Sequence, residues 1–405
     1  MNDLPDGRHT LTRNLASVEP IPAEGIQRAE ELMRSGNLFR YGEFGAGDLE
    51  AAALEREFAA YIGRRYAVGL NSCGCSLFIA LKCAGVKPGD KVLINSFTLA
   101  PVPGSVAHAG AQAVLVESTD DLLIDLDDLR TKAAGGARVL LLSHMRGHIA
   151  DMDAIAALCD DLHLTLIEDC AHTLGAKWNG RPTGTFGAIG CFSTQANKHV
   201  NAGEGGLLVT DDEGIAAQAI LYSGSYMLYG QHTARPALEV FERYKDTIPN
   251  FSMRMSNLAA AVVRPQLRLL AERAAKWNER HDLIAAELAK LHGITLPRRG
   301  TKEAYVASSI QFLVTGLTYD QMLAFLDRCG RCGVQLKWFG QREPVGFTSR
   351  YKHWQYIAGE QSLPKTEAIL ARLCDMRIPT SLTLDECNMI VAIVSESLDA
   401  LRVTA

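Results

Sequence analysis

The sequence predicts an α/β protein in which a large domain with a mostly parallel sheet precedes a smaller C-terminal α+β domain. Short apolar segments bounded by turn residues alternate with segments of helical periodicity through the first half of the chain. This alternation is typical of a parallel sheet with helices on both faces. From about Asn257 a long helical stretch, one strand and one further helix follow. We therefore predict a large domain over residues 1–256, which includes an N-terminal helical segment, and a small domain over residues 257–405.

The predicted elements follow the hydrophobic pattern in order. Residues 23–35 and 48–62 show apolar positions at helical spacing, and Gly36 and Gly63 are the expected stop signals. Short apolar segments predict strands at 66–70, 91–94, 113–116, 139–142, 164–167, 189–192 and 206–210. Helices are predicted between them at 76–84, 105–109 and 151–160. A helical stretch at 258–291, interrupted only by Pro265, is followed by a strand at 305–314 and a helix at 319–329.

Composition is that of an ordinary globular enzyme and argues against two classes of partner. Hydrophobic residues make up 47% and charged residues 21% of the 405 positions, and the formal net charge is −5. A nucleic-acid-binding surface needs a basic excess or a basic cluster, so we expect no nucleic-acid partner. No stretch of about twenty apolar residues is present to span a bilayer. Residues 1–17 lack the apolar core of a signal peptide. We therefore expect no membrane contact and a cytoplasmic location.

The ten cysteines are scattered along the chain. A secreted disulfide framework is usually short and dense in cysteine, so we expect reduced cysteines here. Cys329 and Cys332 form a C-x-x-C pair, but no second pair stands at zinc spacing. The sequence therefore predicts no metal site.

The first of three unusual strand ends is the segment at 71–76. Open α/β sheets bind ligands at the carboxyl ends of their strands. Ser72, Gly74 and Cys75 follow the first predicted strand and open a helix. Small residues at a helix N-terminus leave backbone N–H groups free to hold a phosphate. An ordinary capped helix explains this segment about as well.

The other two strand ends carry an acid and a lysine. Asp169 follows the strand at 164–167, where a buried carboxylate needs a cation such as a protonated pyridine nitrogen. Taken alone, it is more simply an N-cap. Lys198 follows the strand at 189–192, between small polar residues and glycines, and could form a Schiff base. Most lysines simply lie on the surface. Together, the three strand ends meet the needs of pyridoxal phosphate.

These residues also resemble the motifs of the DegT/DnrJ/EryC1/StrS family, the sugar aminotransferases of fold type I. The likeness extends from about Ile21 to Leu291 and more faintly to the C-terminus. Its most specific motifs are Ile-Glu-Asp-Cys-Ala-His at 167–172, Phe-Ser and a lysine at 192–198, and Gly-Glu-Gly-Gly at 203–206. The resemblance implies a fold type I PLP-transferase-like large domain. It also implies pyridoxal 5'-phosphate as cofactor and a homodimer whose chains share each active site.

The resemblance further implies roles for single residues. Lys198 would hold the cofactor as a Schiff base and move protons between cofactor and substrate. Asp169 would pair with the pyridine nitrogen, and His172 would lie near the phenolic oxygen. Leu99 stands where the family usually has an aromatic side chain on the cofactor ring. Ser193 would bind the phosphate together with the region of Ser72, Gly74 and Cys75. Arg254 matches an arginine of the family pattern and is a further cofactor-binding candidate. Asn250 would replace the asparagine, here Ser252, with which the neighbouring chain usually contacts the phosphate.

Five residues are candidates for substrate contact. Arg146 and His148 follow the strand at 139–142 and alternate, which points them into or beside the site. Arg146 can grip a carboxylate with two parallel hydrogen bonds, although a surface pair without a ligand is an equal alternative. Trp338 stands where the family often has a histidine-rich region that meets a nucleotide-sugar. Arg40 and Tyr41 complete the set.

The function predicted from these residues is transfer of an amino group from an amino acid, glutamate, to a keto-sugar or related polyol. Both substrates are small molecules. One alternative keeps the cofactor but makes the protein a dehydratase or other lyase, because some relatives dehydrate sugars and often carry histidine in place of the lysine. Lys198 favours the aminotransferase. A second alternative is a non-catalytic member of the family, which would not need Lys198, Asp169 and Ser193 together.

Overall fold

A seven-stranded sheet forms the centre of the computed structural model, which describes residues 9–42 and 49–402. Its strand order is β1-β7-β6-β5-β4-β2-β3. The strands are β1 (Tyr66–Leu70), β2 (Lys91–Asn95), β3 (Gln112–Val116), β4 (Val139–Ser143), β5 (Thr165–Asp169), β6 (Ile189–Ser193) and β7 (Gly206–Thr210). Strand β7 runs antiparallel to its neighbours β1 and β6, and all other pairs are parallel. The carboxyl ends of the other six strands therefore lie along one edge of the sheet.

Strand β4 shows why this sheet is covered on both faces. Leu140 and Leu142 are buried in one hydrophobic core, whereas Val139 and Leu141 are buried in the core on the opposite face. Successive side chains of a strand point to opposite faces, so a strand that is apolar throughout needs a layer of helices on each side. The helices of this part are α1 (Ala23–Ser35), α2 (Glu50–Ile62), α3 (Cys73–Cys83), α4 (Pro101–His108), α5 (Leu126–Ala133), α6 (Met152–Asp161), α7 (Glu213–Ser223) and α8 (Leu238–Phe241).

A second sheet has four antiparallel strands in the order β8-β9-β11-β10. Its strands are β8 (Ile294–Thr295), β9 (Ser309–Val314), β10 (Lys337–Trp338) and β11 (Leu373–Arg377). The remaining helices are α9 (Asn257–Leu267), α10 (Leu270–Leu288), α11 (Tyr319–Arg331), α12 (Pro364–Leu370) and α13 (Leu384–Arg402). One face of the sheet packs with α10, α11 and α13 in a core of its own, which also contains Leu11 and Leu15. Three two-residue strands, Lys177–Trp178, Arg181–Pro182 and Glu303–Ala304, pair separately.

The predicted helices and strands agree with the structure to within a few residues at most ends. The mostly parallel sheet is confirmed. Helix α2 begins at Glu50, and Asp48, where we predicted its start, lies outside the described residues. The strand predicted at 305–314 begins at Ser309. The division of the chain at residue 257 stays a prediction; α9 packs against α1 and α2.

The helical stretch predicted at 258–291 is corrected by the structure. It forms two helices that separate at Arg268 and Leu269, whereas Pro265 lies inside α9. Proline removes a backbone donor from a helix, but the Gln266 side chain donates to the Val262 carbonyl and supplies a donor nearby. The helix continues past the proline and ends at Leu267, two residues later.

Two further expectations concern membrane-spanning helices and the state of the cysteines. Within residues 9–42 and 49–402, no helix has both the length and the apolar character that a bilayer crossing requires. The cytoplasmic location stays a prediction. The ten cysteines are unpaired thiols, and Cys329 and Cys332 are buried in the core under the small sheet. Burial raises the pKa of the Cys329 thiol to about 12, so this thiol is protonated and unreactive at neutral pH.

Candidate active site

A cavity of about 330 Å³ opens at the carboxyl edge of the large sheet. It lies where the ends of β4, β5 and β6 meet the start of α3. Its walls bring together residues from all three strand ends that the sequence analysis selected. The lining residues are Ser72, Cys73, Gly74, Leu77, Thr98, Leu99, Pro101, Val102, Ser143, Met145, Asp169, Ala171, His172, Ser193, Gln195, Lys198 and Glu204.

The N-terminus of α3 forms one end of this cavity. Ser72 is its N-cap, and the Ser72 hydroxyl accepts a hydrogen bond from the Cys75 amide at 3.1 Å. The amides of Cys73 and Gly74 open the helix, and such amides have no acceptor within their own helix. They are therefore available to an anion in the cavity, and the helix dipole favours its negative charge.

Close packing of β7 holds this helix end beside Ser193. Gly206 pairs with Ser193 across the two strands. A Cβ atom at position 206 would lie 2.5 Å from the carbonyl carbon of Ser72, so only glycine allows this approach. The glycine-rich segment therefore has a packing role, because it lets the Ser193 hydroxyl and the α3 amides line one cavity.

Asp169 lies in the cavity wall at the end of β5 and is almost fully buried. Its Oδ2 accepts a hydrogen bond of 2.8 Å from the Ser143 hydroxyl, which in turn accepts one of 2.8 Å from Thr98. The Ala171 amide donates to Oδ1 at 3.1 Å. These donors fix the orientation of the Asp169 carboxyl group. A buried carboxylate held in this way can pair with a cation in the cavity.

Lys198 lies in the loop after β6, with its Nζ 2.6 Å from Nε2 of His172. Burial, together with the positive charge of Arg146, lowers the pKa of Lys198 from 10.5 to about 8. Burial and the Lys198 charge hold the pKa of His172 well below its usual value, so this imidazole is neutral. The Arg146 amide donates to Nδ1 of His172 at 3.4 Å. A sizeable fraction of Lys198 is therefore an uncharged amine near neutral pH, which is the nucleophilic form.

Leu99 lies in the cavity wall together with Pro101 and Val102. It is half-buried and supplies an apolar surface without an aromatic ring. The cavity contains several further residues that the sequence analysis did not select, among them Ser143, Thr98 and Glu204. Ser143, like Asp169 and Ser193, lies at the end of a predicted strand. This position could have identified Ser143 as a site residue from the sequence.

Three further predicted residues do not line the cavity and instead form contacts within the protein: Cys75, Arg146 and His148. The Cys75 amide bonds to Ser72, as described above. Arg146 forms a buried ion pair of 2.6 Å with Asp375 and has left-handed backbone angles. The Nε2 of His148 lies 2.8 Å from Oε1 of Gln311, and burial lowers the pKa of this histidine well below its usual value. The two predicted substrate residues therefore bind the small sheet in this structure.

Arg40, Tyr41 and Trp338 do not line the cavity, and their role as substrate residues stays a prediction. Arg40 is buried in a two-bond ion pair with Glu55. The Tyr41 hydroxyl lies 3.0 Å from Nδ1 of His232. Trp338 packs in the core under the small sheet and donates to the Ala371 carbonyl at 2.9 Å. The terminal nitrogens of Arg40, the Tyr41 hydroxyl and the Trp338 indole nitrogen thus have partners within the protein. The buried Nε of Arg40 has no hydrogen-bond partner among the described residues.

Asn250 and Arg254 also lie outside the cavity. The Asn250 side chain accepts a hydrogen bond from the Ser252 amide at 2.8 Å. Arg254 donates to the Gly224 carbonyl at 2.6 Å, and its guanidinium lies over the rings of Phe39 and Tyr226. Arg254 lines a different, wider pocket of about 690 Å³ next to the end of β1.

His144, Glu168 and Cys170 form a buried cluster whose possible ligand atoms lie within 4.8 Å of one another. The Glu168 carboxylate accepts hydrogen bonds from the amides of Gly184, Phe186 and Gly187, and it lies 3.3 Å from His144. Its oxygens are thus satisfied by the loop that they hold in place. This pattern indicates a structural carboxylate and not a metal ligand.

The donors that line the cavity fit pyridoxal phosphate. Helix amides and a serine hydroxyl suit a phosphate dianion, and the oriented Asp169 carboxylate suits a protonated ring nitrogen. The Lys198 amine suits an aldehyde. The cavity is concave, largely apolar and carries a few convergent polar groups, as small-molecule sites usually are.

Comparisons with known proteins agree with this chemistry. The model of the DegT/DnrJ/EryC1/StrS aminotransferase family matches residues 20–395. The chain is 32% identical to 3-amino-5-hydroxybenzoate synthase of Amycolatopsis mediterranei (strain S699), over 85% of this chain and 86% of that protein. It is 31% identical to GDP-perosamine synthase of Caulobacter vibrioides (strain ATCC 19089 / CIP 103742 / CB 15), over 68% of this chain and 73% of that protein.

Solved structures give the same result for the fold. A crystal structure of 3-amino-5-hydroxybenzoic acid synthase superposes with a TM-score of 0.81 at 25% identity and covers 95% of this chain and 99% of that one. The GDP-4-keto-6-deoxy-D-mannose-3-dehydratase of E. coli, with bound hydrated PLP, superposes with a TM-score of 0.80 at 17% identity. It covers 95% of this chain and 100% of that one. The predicted fold type I architecture is therefore confirmed.

Proposed function

The chain belongs to the DegT/DnrJ/EryC1/StrS aminotransferase family, and from this premise we propose that it transfers an amino group from glutamate to a keto-sugar or related polyol. The family is dependent on pyridoxal phosphate, and the chain is an aminotransferase of this kind. We propose Lys198 as the residue that holds the cofactor. The observation that carries the proposal is that Lys198, Asp169 and the N-terminus of α3 line one cavity.

When bound, pyridoxal phosphate supplies an aldehyde for the amino group and a cationic ring that withdraws electrons from the reacting carbon. The α3 amides and the Ser193 hydroxyl would bind and orient its phosphate. Asp169, oriented by Ser143, would keep the ring nitrogen protonated. The free Lys198 amine would take the proton from the substrate carbon that bears the amino group and pass it on to the cofactor, so that Lys198 ends the transfer in its starting protonation state. Its lowered pKa supports this role, because a base works best when its pKa is near the working pH.

The acceptor class is supported by the relatives. One relative is named for a GDP-linked perosamine and another for an amino-hydroxybenzoate. Both names describe an amine on a ring that also carries hydroxyl or glycosidic oxygen. A ring ketone that carries further oxygen substituents is therefore the acceptor that we propose, with glutamate as the amino donor.

Replacement of Lys198 by alanine tests the proposal. We expect Lys198→Ala to lose turnover and the visible absorbance of the lysine-bound cofactor, because no other amine would hold the aldehyde. Lys177→Ala, a change of an exposed lysine in the central strand of the small three-stranded sheet, is the matched control and should keep both. A Lys198→Ala protein that stays yellow and fully active would refute the assignment of Lys198.

A dehydratase or other lyase on the same cofactor is the second candidate, because one similar structure is a sugar dehydratase. Incubation with glutamate separates the two. A transaminase accumulates the pyridoxamine form of the cofactor and an equal amount of 2-oxoglutarate. Failure to bind pyridoxal phosphate at all would instead favour a non-catalytic member of the family.

We also propose that the chain works as a homodimer with shared active sites. Several exposed apolar side chains, among them Met33, Phe39 and Tyr226, surround Arg254, and the exposed Met227 follows Tyr226 in the chain. Met33 lines the same pocket as Arg254, and the rings of Phe39 and Tyr226 lie under its guanidinium. Contiguous apolar surface on a soluble protein commonly marks an interface. Light scattering should give twice the chain mass, and a monomeric mass with full activity would contradict shared sites.

A further inference from the structure

The small sheet has one apolar and one polar face. Strands β9 and β11 place Ile310, Phe312, Cys374 and Met376 in the core beneath the sheet. The alternate positions are paired directly across the strands, Ser309 with Arg377 and Gln311 with Asp375. Directly opposed residues of an antiparallel pair share a face. On the other face, β9 and β11 therefore carry these four polar residues: two amide or hydroxyl side chains, one carboxylate and one guanidinium. The same face also has the apolar pair Leu313 and Leu373 and, next to Asp375, the cation Lys337 of β10.

This polar face is turned towards the active site. Gln311 contacts His148, and Asp375 forms the ion pair with Arg146, both from the segment that follows β4. The Ser308 hydroxyl, next to the face, lies 3.3 Å from Nε2 of His199, the residue after Lys198. The small sheet thus forms a wall beside the cofactor-binding residues.

Arg377 is the one member of this group of four whose side chain has no hydrogen bond or ion pair to any of the residues 9–42 and 49–402. Its guanidinium is half-buried and lines a narrow pocket together with Lys198, Asn197 and Ser308. Burial and the Arg146 charge lower the pKa of Arg377, although it remains a cation at neutral pH. Asp375 attracts Arg377 but forms no direct ion pair with it, and a partly buried cation without such a pair is costly unless an anion completes it.

The neighbouring carboxylates of Asp375 and Glu19 do not supply that anion, because each already has partners among other side chains. Asp375 accepts from Gln311 at 2.7 Å and pairs with Arg146. Glu19, which lines the same pocket, accepts from the hydroxyl of Thr380 at 2.8 Å and lies 4.0 Å from Arg273. Arg146 also has a buried Nε without a hydrogen-bond partner. Arg377 and Arg146, both close to Lys198, thus each have N–H donors that no described residue accepts.

We propose that Arg377, supported by Arg146, binds a carboxylate group of a substrate at the wall formed by the small sheet. The planar fork of a guanidinium matches a carboxylate with two parallel hydrogen bonds. Asp375 acts as a positioning residue, since it holds Arg146 in place. The inference rests on the proposed function and adds to it a carboxylate-bearing substrate.

Two sources can supply the carboxylate, the amino donor or a ring ketone that bears an acid group. Unreactive probes separate them: glutarate mimics the dicarboxylate donor, and 3-hydroxybenzoate mimics a ring acid. The neutral 3-hydroxybenzamide controls for binding of the ring alone. Calorimetric titration of the cofactor-loaded protein measures each affinity without turnover.

Arg377→Gln should weaken binding of at least one acid by about 10- to 100-fold and leave the benzamide unchanged, as expected for a charged hydrogen-bond pair. Arg377→Lys should restore part of the affinity, because it keeps the charge without the fork. Arg331→Gln, an exposed arginine of α11 paired with Asp327, is the matched control and should have no effect. Loss for glutarate assigns the donor, loss for 3-hydroxybenzoate assigns the acceptor, and loss for both assigns a shared site.

The absorbance of the lysine-bound cofactor is recorded for every variant. If the wild-type protein does not form it, the proposed function fails and Arg377 is not at issue. If it forms in both proteins and Arg377→Gln binds both acids as tightly as the wild type, the carboxylate site is refuted. A cofactor-loaded wild-type protein that binds neither acid refutes it too.

Discussion

Nζ of Lys198 and Nε2 of His172 lie 2.6 Å apart inside the active-site cavity. Both groups are buried. Burial and the positive charge of Arg146 lower the pKa of Lys198 to about 8, and burial and the Lys198 charge lower the pKa of His172 well below its usual value. The stable combination at neutral pH is a neutral imidazole next to a partly deprotonated amine. This relationship determines when Lys198 can react.

We first predict that cofactor-free Lys198 titrates with a midpoint of about pH 8 and not at its usual 10.5. The amine is the reactive form, so the rate of Lys198 modification by an amine-directed reagent should rise as pH increases through 8. Mass spectrometry of the Lys198 peptide after short exposures measures that rate, with exposed Lys177 as an internal reference. Equal pH profiles for both lysines would contradict the prediction.

The three strand ends could be predicted from the sequence because an apolar strand stops where the chain leaves the sheet. That rule located Ser72, Asp169, Ser193 and Lys198, which the structure places in one cavity. It could not show that Ser143 is paired directly with Asp169, because strand order and register depend on contacts distant in the chain. It also could not show which charged side chains form ion pairs with each other within the protein. Arg40 and Arg146 were equal candidates until their partners, Glu55 and Asp375, were known.

The second prediction concerns the hydrogen bond from Ser143 to Asp169. Ser143→Ala removes a charge-assisted donor at 2.8 Å, which should leave the Asp169 carboxylate less firmly oriented and weaken its pairing with a cationic ring. We expect the dissociation constant of pyridoxal phosphate to rise by about 10-fold or more. Absorbance titration of the cofactor-free protein measures it. Ser223→Ala, which removes a buried hydroxyl bonded to a backbone carbonyl, is the control and should leave the constant unchanged.

Leu99 gives the third prediction, which concerns the cavity wall. An aromatic ring at this position could stack on the pyridine ring, and stacked aromatic pairs contribute about 0.5–1.5 kcal/mol beyond area burial. Leu99→Phe should therefore tighten cofactor binding by about 2- to 10-fold. Leu99→Ala removes apolar contact and should weaken it. If Leu99→Phe binds the cofactor less tightly than Leu99→Ala, the side chain does not face the cofactor.

The fourth prediction concerns the buried pair of Arg40 and Glu55. Burial alone would raise the pKa of Glu55, but the charges of Arg40 and His232 outweigh it and lower the pKa to about 2. The pair therefore contributes stability above the unfolded-state pKa of 4.5, and this contribution is lost as pH falls from there towards 2.

Glu55→Gln leaves the Arg40 charge buried without its partner, so it should lower the free energy of unfolding by about 3–5 kcal/mol at pH 7. Because protonation removes the same charge from the wild type, the difference between the two proteins should shrink as pH decreases below 4.5. Urea unfolding at several pH values measures both effects. Glu57→Gln, on the same helix but paired with Arg264 at the surface, is the control and should cost about 1 kcal/mol or less. A Glu55→Gln protein as stable as this control would show that the buried pair does not support the fold.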